Sequence, residues 1–193
     1  MHILGISCFY HDSAAALLRE GELVAAAEEE RFSRVKHDFG FPDLAIEFCL
    51  AKAGIAPEEL DYVVFYEKPF QKFDRILNTV LQTFPGSLKV FQDAMINWIW
   101  DKLWVKTIIH KRLGVALDRI LFTEHHMSHA ASAYFCSPFD QAAVLTFDGV
   151  GEWSTTTMGV GRKNNLEITR EQHFPHSIGL LYSAFTAFLG FEV

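Results

Sequence analysis

Basic residues, cysteine and uninterrupted apolar runs are all scarce in this chain. Lysine and arginine together number 17 against 24 acids in 193 residues, a formal net charge of −7. That balance argues against general nucleic-acid binding through a basic surface, while leaving room for a local basic pocket that holds a phosphate. Only three cysteines occur, Cys8, Cys49 and Cys136, an odd number in apolar surroundings. They read as reduced core residues of a cytoplasmic protein and not as a disulfide framework. The most apolar later stretch, around residues 95–109, is broken by Asp101, Lys102 and Lys106. It suits an amphipathic helix packed on a core better than a membrane span. No cationic segment precedes Met-His-Ile-Leu-Gly-Ile, which reads as a strand and not as a signal peptide. What the chain has in abundance is core-forming material: half of it is apolar, with 18 Phe.

Apolar runs and turn residues give an ordered series of elements. Ile3–Phe9 is a strand ending in the polar turn Tyr10-His11-Asp12-Ser13; Ala14–Leu18 follows, Glu20-Gly21-Glu22 reverses the chain, and Leu23–Ala27 is a third strand. A charged segment spans Glu28–Asp38, and a helix opens at Pro42-Asp43 and closes at Gly54. Tyr62–Tyr66 is a short strand, residues 71–113 are largely helical with an interruption near Pro85-Gly86, Ile120–Thr123 is a strand, and His126–Phe135 is a helix of small residues. The pattern then restarts. Ala142–Phe147, Ser154–Val160 and Leu166–His173 are strands, and Ser177–Leu189 has helical periodicity. A βββα order thus begins near residue 2 and again near residue 141. This predicts an α/β fold of the duplicated ribonuclease-H-like and actin-like type, with polar turns at strand ends facing a ligand cleft. The expected division is a complete first lobe over 1–140 and the start of a second over 141–193, the N-terminal piece of a longer protein.

Three histidines fall within five residues, His125, His126 and His129. His125 and His129 are four apart and share a helix face, whereas His126 is rotated by roughly 100°. On this spacing alone, a solvated first helical turn is a better explanation than a metal site. Asp148, where an apolar run breaks at Gly149, adds a carboxylate at a strand end and puts the metal reading level with the solvated one. Two imidazoles and a carboxylate suit Fe²⁺, Zn²⁺ or Mn²⁺. In the first turn His11 could serve as a general base with Asp12 fixing its tautomer, although a polar hairpin turn bonding its own backbone is the simpler explanation. Within Glu28–His37 a solvated, salt-bridged face is the ordinary reading. Its cations Arg31, Arg34 and Lys36 could instead hold a carboxylate or phosphate. The turn Gly149-Val150-Gly151 is a weak anion-binding motif.

Five ordered segments together resemble a known family. They are Ile-Leu-Gly-Ile-Ser with His-Asp-Ser-Ala-Ala-Ala, Ala-Glu-Glu-Glu-Arg-Phe-Ser-Arg-Val-Lys-His, Glu-His-His-Met-Ser-His-Ala-Ala-Ser-Ala-Tyr, Leu-Thr-Phe-Asp-Gly-Val-Gly-Glu, and Ser-Ile-Gly-Leu-Leu-Tyr-Ser-Ala-Phe-Thr-Ala-Phe-Leu-Gly-Phe. The chain is similar in these to the N-terminal half of carbamoyltransferases of the nodulation-factor and antibiotic O-carbamoylating type. The resemblance implies an actin-like metal-binding domain, with His125, His129 and Asp148 as ligands of a divalent metal, iron first and zinc or manganese as alternatives. It implies His11 as base or orienting group for an acceptor hydroxyl, and Arg31 and Lys36 near the phosphate or carbamoyl end. In such proteins a C-terminal YrdC-like domain makes carbamoyl adenylate from carbamoyl phosphate and ATP, and the N-terminal domain passes the carbamoyl group to a small-molecule acceptor. That C-terminal domain and a fourth metal ligand are not found in these 193 residues.

The expectation is therefore part of a cytoplasmic, ATP-dependent O-carbamoyltransferase with a hydroxyl-bearing acceptor, no nucleic-acid or membrane partner, and the apolar stretch 76–109 with Trp98, Trp100 and Trp104 as a homodimer surface or an internal packing face. The alternative is a non-catalytic nucleotide- or partner-binding module on an actin-like fold, for which paired histidines and Asp148 have no use. A metallopeptidase reading fares poorly, because no glutamate stands between the histidines as it does in H-E-x-x-H.

Overall fold

The structure is a computed structural model that describes residues 1–89, 91, 92, 95 and 102–192. Trp98, Trp100 and the middle of the expected helical stretch lie outside the described residues. The chain divides into two compact units, Met1–Tyr66 with Pro85–Phe122, and Glu67–Phe84 with Thr123–Val193.

In the first unit β1 (His2–Ser7), β2 (Ala14–Arg19) and β3 (Glu22–Glu28) form an antiparallel meander. Glu20 and Gly21 both take positive φ at the β2–β3 reversal, as two-residue turns matched to strand twist require. Strand β4 (Tyr62–Phe65) lies parallel to β1, and β5 (Ile120–Phe122) lies parallel to β4. The resulting order, β3-β2-β1-β4-β5, is the ribonuclease-H-like arrangement that the sequence pattern predicted. Alternation along the strands puts Leu4, Ile6, Leu17, Val63 and Phe65 into one core, where each such side chain contributes roughly 1.5–3 kcal/mol.

Two helices of this unit supply further core side chains. Helix α1 (Glu30–Ser33) is a single turn; α2 (Asp43–Ala53) buries Ala45, Ile46, Cys49 and Leu50 and ends at Gly54 in the left-handed conformation. Pro42 stands at the N-cap of α2 and has no side-chain hydrogen bond to give. The buried Glu29 carboxylate does that work from a distance, accepting the Leu44 N–H at 3.1 Å and the Ala45 N–H at 2.7 Å. One member of the charged run is thus a helix cap and not part of a solvated face. Helix α4 (Val105–Leu113) contributes Val105, Ile109 and Leu113 to the same core.

The second unit holds α3 (Pro69–Thr83), α5 (His125–Phe135), the antiparallel meander β6 (Gln141–Phe147), β7 (Ser154–Arg162) and β8 (Asn165–His173), and α6 (Ile178–Phe188). The restarted βββα order read from the sequence is therefore present. Helix α5 packs on the sheet through Ala130 and Tyr134, which cluster with Val144. A Cβ at Gly161 would come within 2.4 Å of the Tyr134 ring, so only glycine lets the ring lie on β7. The Tyr134 hydroxyl donates to the carbonyls of Asp140 and Lys163. Helix α6 buries none of its residues. No helix among the described residues is long and apolar enough to cross a membrane.

Candidate metal centre

Helix α5 starts at His125, so a four-residue step stacks His129 over it on one face, as the spacing predicted. Asp148 follows the last residue of β6, where its N–H bonds the Thr155 carbonyl and its Oδ1 accepts the Gly149 N–H at 2.6 Å. The three side chains converge. His125 Nε2 lies 2.6 Å from Asp148 Oδ2 and 3.1 Å from His129 Nε2, and His129 Nε2 lies 3.9 Å from Asp148 Oδ2.

A single proton on His125 Nε2 serves this arrangement poorly, since it must be shared between Asp148 at 2.6 Å and His129 at 3.1 Å. A neutral imidazole carries one N–H. If His125 Nε2 donates to Asp148, it has no lone pair to offer His129; if it accepts from His129, its lone pair faces the carboxylate. Protonating Asp148 would resolve the conflict, but the His125 hydrogen bond, partly opposed by burial, holds that carboxyl well below the usual carboxylate range. A cation accepts all three lone pairs at once. Metal–ligand bonds of ~2.1 Å put neighbouring ligand atoms roughly 3.0–3.4 Å apart, a spacing that the three observed distances bracket. Burial, reinforced by the neighbouring His125, lowers the pKa of His129 and so favours its neutral, ligating form. The donor set fits a borderline divalent ion.

Several supporting residues escaped the sequence reading. Glu67 is buried beside the centre, with Oε2 at 3.7 Å from His125 Nδ1 and 2.8 Å from the buried Lys72 ammonium. A carboxylate behind a ligating imidazole orients the ring and raises its basicity. The only local signal was the pair Glu67-Lys68 standing between a strand and Pro69. Glu152, also buried, accepts the backbone N–H groups of Lys68 and His125, placing an anion at the start of α5; burial raises its pKa. His126 turns away from the centre, with Nδ1 2.6 Å from Thr146 Oγ1, which is 2.6 Å from Thr157 Oγ1. Ser177 and Gly179 brace the Asp148 turn. The Ser177 hydroxyl contacts the carbonyls of Asp148 and Gly149 and accepts the Leu180 N–H, and a Cβ at Gly179 would sit 2.5 Å from the Asp148 carbonyl oxygen.

The other expected site residues belong to the first unit. His11 is exposed, with Nδ1 2.9 Å from Asp12 Oδ2, while Asp12 Oδ1 lies 2.8 Å from His37 Nδ1. Asp12 thus sits between two imidazoles, in the left-handed backbone region, and the bond to His37 is the larger cause of its lowered pKa. Ser13 is buried and donates to the Asp38 carbonyl, so its hydroxyl ties this turn to a distant loop instead of bonding the turn's own backbone. Arg31 is exposed on α1 with Glu28 at 3.5 Å, and Lys36 is exposed in the turn that follows. His37, missed by the sequence reading, completes a cluster with Asp12 and Glu30.

Comparison with known families decides the lineage: the carbamoyltransferase N-terminus family matches residues 2–193. The chain belongs to the carbamoyltransferase N-terminal family. The protein designated sll1178 from Synechocystis sp. is 55% identical over 199 residues, covering 100% of this chain and 32% of that protein. Nodulation protein NolNO from Sinorhizobium fredii is 35% identical over 187 residues, covering 95% of this chain and 26% of that protein. This carbamoyltransferase N-terminal chain thus spans about a third or less of the length of these curated relatives. Among solved structures, YeaZ from Pseudomonas aeruginosa is similar with a TM-score of 0.47 at 15% identity, over 90% of this chain and 67% of that one.

Proposed function

We propose that this chain forms part of an ATP-dependent O-carbamoyltransferase that moves a carbamoyl group from carbamoyl adenylate, made from carbamoyl phosphate and ATP, to the hydroxyl of a small-molecule acceptor. The observation that carries the reading is the convergence of His125, His129 and Asp148 in a chain of the carbamoyltransferase N-terminal family. These three residues would hold a divalent metal, iron before zinc or manganese. Bound there, the ion would supply positive charge for oxygens that gain negative charge during transfer.

The remaining chemistry falls to the protein's own groups. The Nδ1 contact of His11 with Asp12 favours the tautomer that leaves Nε2 with a lone pair. That nitrogen would take the acceptor's proton as its oxygen bonds the carbamoyl carbon. The bond from that carbon to the phosphate of AMP would break, AMP leaving with the electron pair. Arg31 and Lys36, exposed in the same unit, would attract the phosphate end. A YrdC-like domain of the same protein would supply the adenylate, and a cytoplasmic setting accords with three free cysteines.

The test uses the full-length protein. His129→Ala should lose bound metal and carbamoyl transfer together, and His11→Gln should lose transfer with metal content intact. Full metal content in the His129→Ala protein would sink the site assignment. Nucleotide binding without metal and without consumption of carbamoyl phosphate would establish the rival binding-module reading instead.

A further inference from the structure

Beside the metal centre the second unit contains a cavity of about 360 Å³, within the roughly 300–1,000 Å³ common for small-molecule sites. Its walls carry Glu124, Glu152 and Glu171 with His126, His173 and Trp153, and among the described residues no lysine or arginine lines it. His126 is only 4% exposed, and its Nε2 has no hydrogen-bond partner. Burial lowers the His126 pKa, and the Ser154 backbone beside the ring partly opposes the shift. A buried ring nitrogen left without a partner costs about 1–3 kcal/mol, and a bound polar group removes that cost.

The kind of group follows from the neighbours. His126 Nδ1 touches a Thr146–Thr157 hydroxyl pair that can run in either direction, so Nε2 can be a donor or an acceptor. A ligand hydroxyl satisfies both cases. Glu171 supplies charge. Its Oε2 accepts from Ser154 Oγ and lies 3.3 Å from His173 Nε2, and these contacts keep its carboxyl below the ordinary glutamate range. Glu124 is already paired with Lys68 at 2.8 Å, so Glu171 is the carboxylate best placed to meet a ligand cation. Trp153 is also among the lining residues, and an indole there suits a cation or a sugar ring.

We infer that this cavity binds a hydroxyl-bearing protonated amine, the hydroxyl on His126 Nε2 and the ammonium on Glu171, and that it excludes phosphate-bearing ligands. Taking that ligand to be the carbamoyl acceptor rests on the proposed function; the binding itself does not.

Glucosamine, titrated calorimetrically into the full-length protein in slightly acid buffer, is the probe. It should bind saturably, glucose should bind at least about tenfold more weakly, and glucose 6-phosphate should not bind. Glu171→Gln should weaken glucosamine at least about tenfold, and Glu171→Lys, which brings its own ammonium, should abolish binding. Glu171 is half-exposed on the edge strand β8, and thermal melting would show that both variants fold. Glucose binding as tightly as glucosamine, an unchanged Kd in Glu171→Gln, or no glucosamine binding at all would overturn the inference. Glucosamine binding that survives in a protein devoid of carbamoyl transfer would uphold the cavity and sink the proposed function.

Discussion

Replacing Glu67 with glutamine would remove the charge that faces both the Lys72 ammonium at 2.8 Å and the His125 ring at 3.7 Å. Glu67 and Lys72 are 3% and 6% exposed, so water cannot take the place of the lost carboxylate. Breaking a buried pair on one side costs about 3–5 kcal/mol. In a protein of this size that lowers Tm by roughly 6–20 °C. The same substitution loosens the orientation of His125 and should weaken metal binding by about 10–100-fold. The two effects separate in the double variant. Glu67→Gln with Lys72→Met leaves no buried charge without its partner and should recover most of the lost stability. Metal affinity should stay low, because His125 still lacks a carboxylate behind it. The assay is a set of melting curves and competitive metal titrations on wild type, both single variants and the double. If metal affinity rises and falls with Tm across the set, or if the double is no more stable than Glu67→Gln, the separate roles given to this carboxylate are wrong.

Three further outcomes are expected. Gly179→Ala forces a methyl against the Asp148 carbonyl at 2.5 Å, so the start of α6 or the ligand turn must shift; stability should fall by about 1–3 kcal/mol and metal affinity with it, read by melting and titration. Asp12 has a folded pKa below its ordinary value of about 3.9, so its contribution to stability is complete above that pH and fades as the pH falls through the folded pKa. Acid titrations of wild type and Asp12→Asn should therefore diverge near neutrality and converge in strong acid; a constant difference would refute the assignment. Cys136 is exposed, whereas Cys8 and Cys49 are buried and burial raises the Cys49 pKa, so a thiol reagent should label one cysteine in the native protein and three after unfolding.

Much of this was legible in the sequence wherever the cause is local. Gly54 ends α2 because only a residue at ease with positive φ closes the helix there, and Glu20-Gly21 reverses the chain for a related reason. His125, His129 and Asp148 were readable because helical spacing and a strand end fix where those side chains go. What the sequence hid are groups that act across long separations. Glu152 meets the Lys68 N–H from 84 residues away, and Glu67 reaches His125 only after α3 and all of β5 have intervened. Glu29 looked like one more charge in a solvated run, yet it caps α2, because Pro42 leaves the first N–H groups of that helix without a side-chain acceptor. Periodicity reports which face a residue occupies and says nothing of who stands opposite.

Among the described residues, helix α6 is anchored chiefly at its first turn. Ser177 and Gly179 fix its first turn to the backbone of the Asp148 turn, yet no residue along its length is buried, and Tyr182, Phe185 and Phe188 stand out in solvent. The first turn of α6 and the Asp148 turn are joined by the Ser177 hydroxyl and by the close approach of Gly179. Any substitution that shifts Ser177 or Gly179 therefore reaches Asp148 through the main chain, without touching its carboxylate.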